Sequence, residues 1–229
     1  MAEPGGVPGP EGVPGPADPP GLADPPGPAG ISRAIYLAPW RIDLTIRPGV
    51  GRLLDQARLS RAALARAIRD ALEAAGAPRP ASVGLILSDD AELAELNAVH
   101  LGKSGPTDVL SFPLLPPEAY PPHEGAPGPG RRGRTGTAAW AGAAAPTSLA
   151  FPLPPRARPH LGDIVVSVER AIEQAVTGRG GQTGDVGWAP ADELRLLVIH
   201  GTLHLCGWDH AVPAEEAAMR ALERRLLGR

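Results

Sequence analysis

Hydrophobic and polar positions alternate with period two in RIDLTIR, where Ile42, Leu44 and Ile46 point one way and polar residues the other. That pattern predicts a half-buried strand, with folded sequence beginning near Trp40. A period of 3.6 follows: Leu64, Ile68 and Leu72 share one face of a helix that Ser60 caps, with Gly76 ending it and Pro78 beyond. SVGLIL (82–87) reads as a short apolar strand. Ser88, Asp89 and Asp90 then offer caps for a helix carrying Leu93 and Leu96. TDVLSF (107–112) and DIVVSV (163–168) read as two further strands, the latter leading into a helix through Ile172 and Val176. Pro190 opens a strongly apolar helix with Leu194, Leu197 and Val198, and Pro213 opens the last one, with Met219, Leu222 and Leu226 as its packing stripe. The order β-α-β-α-β-β-α-α-α predicts an α+β fold: a mixed four-stranded sheet packed with about five helices.

Three stretches fall outside this pattern. Glycine and proline number 29 each in 229 residues, and the excess is concentrated. Residues 1–30 repeat GVPGP and ADPPG and have almost nothing apolar to bury, so they are expected to form a disordered tail. Residues 114–159 lack sustained periodicity and read as a disordered surface insertion. Residues 177–188 read as a Gly-rich linker. The remainder, 31–229, is expected to be one domain.

Net charge is −3, so no global basic surface advertises nucleic acid, and an anionic substrate must be captured by local charge. The single cysteine, Cys206, excludes an internal disulfide and Cys-rich zinc modules. No apolar run is long enough to span a membrane and the N-terminus lacks a signal-peptide pattern, so a soluble, cytoplasmic protein is the expectation.

The candidate chemistry lies in HGTLHLCGWDH, residues 200–210. His200 and His204 are four apart, on one helix face, close enough to share a metal ion. His210 would sit roughly 120° away around a continued helix, so the chain must stop and turn back. Gly207 stands where that stop is required, since glycine takes the left-handed conformation of a helix end freely. Three neutral imidazoles leave a fourth tetrahedral position on Zn²⁺ for water, which predicts a single-zinc hydrolytic centre with His200, His204 and His210 as both ligands and catalytic set. Three unliganded histidines behind a buried helix would instead each need a hydrogen-bond partner. The same spacing frames the metzincin proteases, but those place a general-base Glu after the first histidine, where this chain has Gly201.

The string resembles the signature of the YbeY family, bacterial metal-dependent endoribonucleases known as rRNA maturation factors. LNAVHLGKSGPTDVLSFP (96–113) and LGDIVVSVERAIEQA (161–175) are similar to two further family motifs, in the same order. The resemblance implies one zinc per chain, single-strand-specific RNA hydrolysis, 3′ end maturation of small-subunit (16S) ribosomal RNA and ribosome quality control. Ribosomal RNA precursor and the small subunit are then the implied partners. The family often carries Arg before the Gly-Lys of its central motif, where this chain has Leu101; phosphate contact is then expected from Lys103, the sole lysine, or from Arg131, Arg132, Arg134, Arg156 and Arg158. Asp209 is a candidate for orienting a ligand histidine, or a turn residue. Asp108 and Asp163 are candidates for lining an RNA groove, or caps. His160 is a candidate fourth ligand, and His123 is assigned to the disordered insertion. The general base is unassigned, and attack on phosphorus and activation of the ribose 2′-hydroxyl both remain open. An alternative of a different class is a ribosome-assembly factor that binds RNA or protein around a structural zinc.

Overall fold

The computed structural model describes residues 30–56, 58, 60–126, 158–177 and 188–228. The tail 1–29 and residues 127–157, which make up most of the expected insertion, lie outside the described residues, as does most of the 177–188 linker. The described elements are β1 (Ile31–Leu37), β2 (Trp40–Ile46), α1 (Val50–Gln56), α2 (Arg61–Ala74), β3 (Ala81–Ser88), α3 (Asp90–Leu101), β4 (Val109–Pro113), a 3₁₀ turn (Pro117–Ala119), β5 (His160–Ser167), α4 (Val168–Thr177), α5 (Pro190–Leu205) and α6 (Pro213–Leu227).

The expected mixed sheet and α+β class are present, with one strand more than the sequence pattern showed. The order is β1-β2-β3-β5-β4. β2, β3 and β5 run parallel, and β1 and β4 pair antiparallel at the two edges. β1 escapes the period-two reading because its edge position leaves Ile31 and Tyr36 exposed alongside its polar residues. α1 is the additional helix; it is only seven residues long and buries Val50 and Leu54.

The helix caps follow local chemistry. Ser60 accepts a hydrogen bond from the Ala63 amide, and among the three candidates before α3 it is Asp89 that caps, accepting from the Glu92 amide. On α2, Leu64, Ile68 and Leu72 are buried as their spacing requires. The core centres on α5, which lies on β4 and β5 between α2, α4 and α6 and buries Leu194, Leu197, Val198, Ile199 and Leu203 completely. Truncating one such side chain, Leu197→Ala for example, should cost about 2–5 kcal/mol.

Two glycines set how closely α5 approaches the sheet. A Cβ at Gly201 would fall 2.7 Å from Ile164 Cγ2 and 3.1 Å from both Ser111 Oγ and Val109 Cγ2. Ser111 Oγ donates to the Gly201 carbonyl at 3.0 Å, tying helix to edge strand. At Gly162 the backbone has φ +140° in a β-bulge, where Leu161 and Gly162 together face the stretch between Ser82 and Gly84. A Cβ there would strike the Phe112 carbonyl at 2.3 Å and Leu205 at 2.9 Å. Ser111 faces α5, whereas its neighbour Phe112 meets His100 of α3 edge-on at 5.0 Å. Strand alternation therefore places α3 on the opposite face of the sheet from α5.

Candidate metal centre

α5 ends where the glycine predicts. The Trp208 amide donates to the Leu203 carbonyl at 3.1 Å and the Gly207 amide to the His204 carbonyl at 3.0 Å, with Gly207 at φ +84°. This pair of bonds is a Schellman closure, and it reverses the chain after Cys206. His210 thereby returns to the helix face it would otherwise have left. Its ring centroid lies 5.1 Å from that of His204 and 5.9 Å from that of His200. One nitrogen from each of the three rings lies within 4.8 Å of the others.

The hydrogen bonds of the first two rings determine which nitrogens are free. His200 Nδ1 is 2.7 Å from Glu223 Oε1 and donates to that carboxylate. His204 Nδ1 is 2.8 Å from the Trp208 carbonyl, which can only accept. Both Nε2 atoms are then left as bare lone pairs, yet they face each other at 3.0 Å. Two lone pairs at that distance repel unless a cation lies between them. Two nitrogens on one tetrahedral zinc would be about 3.3–3.4 Å apart at Zn–N distances of about 2.0–2.1 Å, so the spacing suits a shared ion. A proton on either ring would also relieve the repulsion; at His204 burial and its two histidine neighbours oppose it, pulling its pKa down to about 3. The residues present fit a divalent metal ion.

Among the described residues no fourth side chain joins this cluster. His160 does not reach it: Nδ1 is 3.0 Å from Ser82 Oγ and Nε2 3.0 Å from Asp163 Oδ1. Cys206 is fully buried, and burial pushes its thiol up to about 12, so it packs as a small apolar group.

Glu223 went unread in the sequence. It lies in the third turn of α6, 23 positions from His200, among the stripe residues Met219, Leu222 and Leu226, and only the packing of α6 against α5 brings it to the ring. The carboxylate hydrogen-bonded to a ring of the cluster is that of Glu223, where the sequence offered Asp209. Asp209 Oδ1 accepts from the His210 backbone amide at 2.7 Å, so it acts as a turn residue. Asp108 is also a structural cap: its carboxylate accepts from the Val109 amide, the Thr107 hydroxyl and the Gln174 side chain, and its carbonyl from the Ser167 amide. Asp163 is paired in register with Gly84, where a Cβ would fall 1.9 Å from its Oδ1. The neighbouring Ile164 faces α5, so Asp163 projects from the opposite face of the sheet and is not brought to the histidines. Lys103 is exposed in the loop after α3, and Leu101 is half-buried in the last turn of that helix. Of the five arginines considered for a phosphate-binding arm, only Arg158 is described, and its guanidinium donates to the Pro39 carbonyl in the β1–β2 turn.

His123, read from sequence as disordered, is instead packed. Its ring stacks on Trp208 at 4.0 Å, and its Nε2 is 2.7 Å from Glu215 Oε1. Residues 114–126 thus form part of the domain surface against the metal turn.

Gly201 also bears on the protease question. The side chain at 201 would point into Ile164, Val109 and Ser111, so the general-base Glu of a metzincin has no room beside this pair of histidines.

A family described as endoribonuclease YbeY matches residues 54–229. The chain belongs to the YbeY family. A Salinispora tropica endoribonuclease YbeY is 41% identical over 159 residues, covering 69% of this chain and 80% of its own. A Roseiflexus YbeY endoribonuclease is 33% identical over 187 residues, 81% of this chain and 90% of the relative. Among solved structures, the solution structure of a Thermotoga maritima protein is 22% identical, aligned over 82% of this chain and 89% of that one, with a TM-score of 0.38. The YbeY match covers every residue of the metal cluster and both helices that build it. No helix among the described residues of this YbeY member is long and apolar enough to cross a membrane.

Proposed function

We propose that this protein is a zinc-dependent, single-strand-specific endoribonuclease of the cytoplasm that matures the 3′ end of small-subunit ribosomal RNA and serves ribosome quality control. The observation that carries the reading is the pair of lone-pair nitrogens, His200 Nε2 and His204 Nε2, held 3.0 Å apart with His210 turned back beside them. Family membership supplies RNA as the substrate class, since the curated relatives bear the name endoribonuclease YbeY.

His200, His204 and His210 would hold the ion; when bound, it supplies Lewis-acid polarisation of a phosphoryl oxygen and a nucleophile drawn from water. The chain's own part is geometric and electrostatic. Glu223 holds the His200 ring in one tautomer, and the Trp208 carbonyl does the same for His204, so both present Nε2. Burial and the neighbouring imidazoles favour the neutral form of His204, the form a metal needs. His210 is exposed and marks the side from which a single strand can approach. Three neutral ligands leave the full divalent charge for the phosphodiester, which offsets an overall net charge of −3.

The test is to incubate the purified protein with ribosomal RNA precursor, beside a His200→Ala/His204→Ala/His210→Ala variant and a metal-stripped sample. Cleavage by the wild type alone, restored to the stripped sample by Zn²⁺, is the expected result. Equal cleavage by the triple variant ends the proposal. End analysis of the products separates a 5′-phosphate from a cyclic 2′,3′-phosphate, and so direct attack from 2′-hydroxyl activation.

A further inference from the structure

The segment after β4 is laced across the turn that carries the third histidine. Pro117 lies against Gly207, where a Cβ would meet it at 3.2 Å. Tyr120 is buried in the core beside Cys206. Pro121 covers Gly76 at the end of α2. His123 then stacks on Trp208 with only 17° between the rings, its side chain 9% exposed. Its Nε2 donates to Glu215 Oε1 at 2.7 Å, and that same oxygen accepts the Asp209 amide at 2.9 Å. Glu215 is 3% exposed, so both bonds are made out of water. Gly125 closes the segment against the Ala214–Glu215 backbone, leaving no room for a Cβ.

This arrangement bears on His210 because of what that residue lacks. His200 and His204 each have a ring nitrogen anchored, whereas among the described residues no hydrogen bond holds the His210 ring. Its position is set by the backbone of Trp208 and Asp209. One of those residues is pinned by the His123 stack, and the other by the carboxylate that His123 orients. A misplacement of an ångström there would move the third nitrogen out of reach of an ion bound by the other two.

We propose that His123 is a positioning residue for the metal centre, acting through Trp208 and Glu215 to hold the 208–210 backbone where His210 can coordinate. The role rests on the three-histidine metal reading given above. It gives the early part of an apparently featureless segment a task at the site, 87 residues along the chain from His210.

The experiment is a competition titration of Zn²⁺ between a chromophoric chelator and the full-length protein, with the melting temperature of each metal-free variant measured alongside. His123→Ala is expected to weaken Zn²⁺ binding by about tenfold, the low end for loss of a ligand's own hydrogen-bond partner, since His123 acts one contact further out. His123→Gln, which keeps an N–H at the position of Nε2, should recover most of that loss. Leu54→Ala opens the core under α1, away from this segment, and should lower the melting temperature while leaving affinity at the wild-type value. The proposal is overturned if His123→Ala binds Zn²⁺ like the wild type, or if Leu54→Ala weakens binding as much. It is also overturned if His123→Gln fails to restore affinity while melting at the wild-type temperature. A wild-type protein that takes up no metal overturns the metal reading itself, an outcome distinct from a wild type that binds and a His123→Ala variant that binds equally well.

Discussion

Glu223→Ala is the substitution whose effect the structure constrains most closely. The bond from His200 Nδ1 to Glu223 Oε1 is 2.7 Å long and charge-assisted, and the Glu223 side chain is 11% exposed, so solvent screens it little. Hydrogen bonds to charged groups contribute about 1.5–3 kcal/mol. At about 1.4 kcal/mol per tenfold, the full loss corresponds to roughly 10–150-fold in metal affinity. Part of that bond also stabilises the metal-free chain, where it is already formed, so the upper end is a ceiling. Freed of its acceptor, the half-buried His200 ring can rotate or take the other tautomer, either of which removes Nε2 from the ion. Glu223→Gln keeps an acceptor oxygen without the charge and should lose tenfold or less. The assay is Zn²⁺ competition against a chromophoric chelator, with far-ultraviolet circular dichroism to establish that α6 is intact. Wild-type affinity in a folded Glu223→Ala protein would refute the reasoning, because the ring would then need no carboxylate to hold it.

Gly201→Ala should destabilise the fold by about 1–3 kcal/mol through overpacking of Ile164, Ser111 and Val109, read as a lower urea midpoint; an unchanged midpoint would show that α5 does not lie as close as described. The hydrogen bond from His160 to Asp163 raises the histidine's pKa above its usual value near 6.5, so its stabilisation is full below about pH 6.5 and fades as pH rises through the higher folded value. The gap in urea midpoint between wild type and His160→Gln should accordingly be wide at acid pH and narrow in alkali, and a gap that widens with pH would contradict it. Metal removal by a chelator should lower the melting temperature of the wild type but not that of the His200→Ala/His204→Ala/His210→Ala variant; at free Zn²⁺ of 100 times Kd the ion adds about 2.7 kcal/mol. Equal shifts in the two proteins would locate the metal elsewhere.

What could be read without a structure was local. His200, His204, Gly207 and His210 fall within eleven residues, and helix geometry plus one left-handed glycine is enough to make three rings converge. The buried faces of β2 and α2 were legible for the same reason, since period and cap lie within one element. β1 was not, because its first three residues and Tyr36 are exposed and only Ile35 and Leu37 pack against the core, too few positions to set a period. Of the acidic candidates chosen by motif position, Asp108 and Asp209 accept backbone amides next to them and Asp163 lies on the sheet face away from α5, a facing that sequence distance does not reveal.

Chain order by itself determined the three-histidine cluster and its turn, the α+β class and the glycine where a metzincin has its carboxylate. Tertiary packing alone decided what supports that triad. Glu223 reaches His200 because α6 folds back along α5, and His123 reaches Trp208 because residues 114–126 cross over the turn. The physical reason is range: backbone hydrogen bonds and glycine torsions act within a few residues, whereas the partners of a ligand ring are chosen by which helices bury their faces against one another.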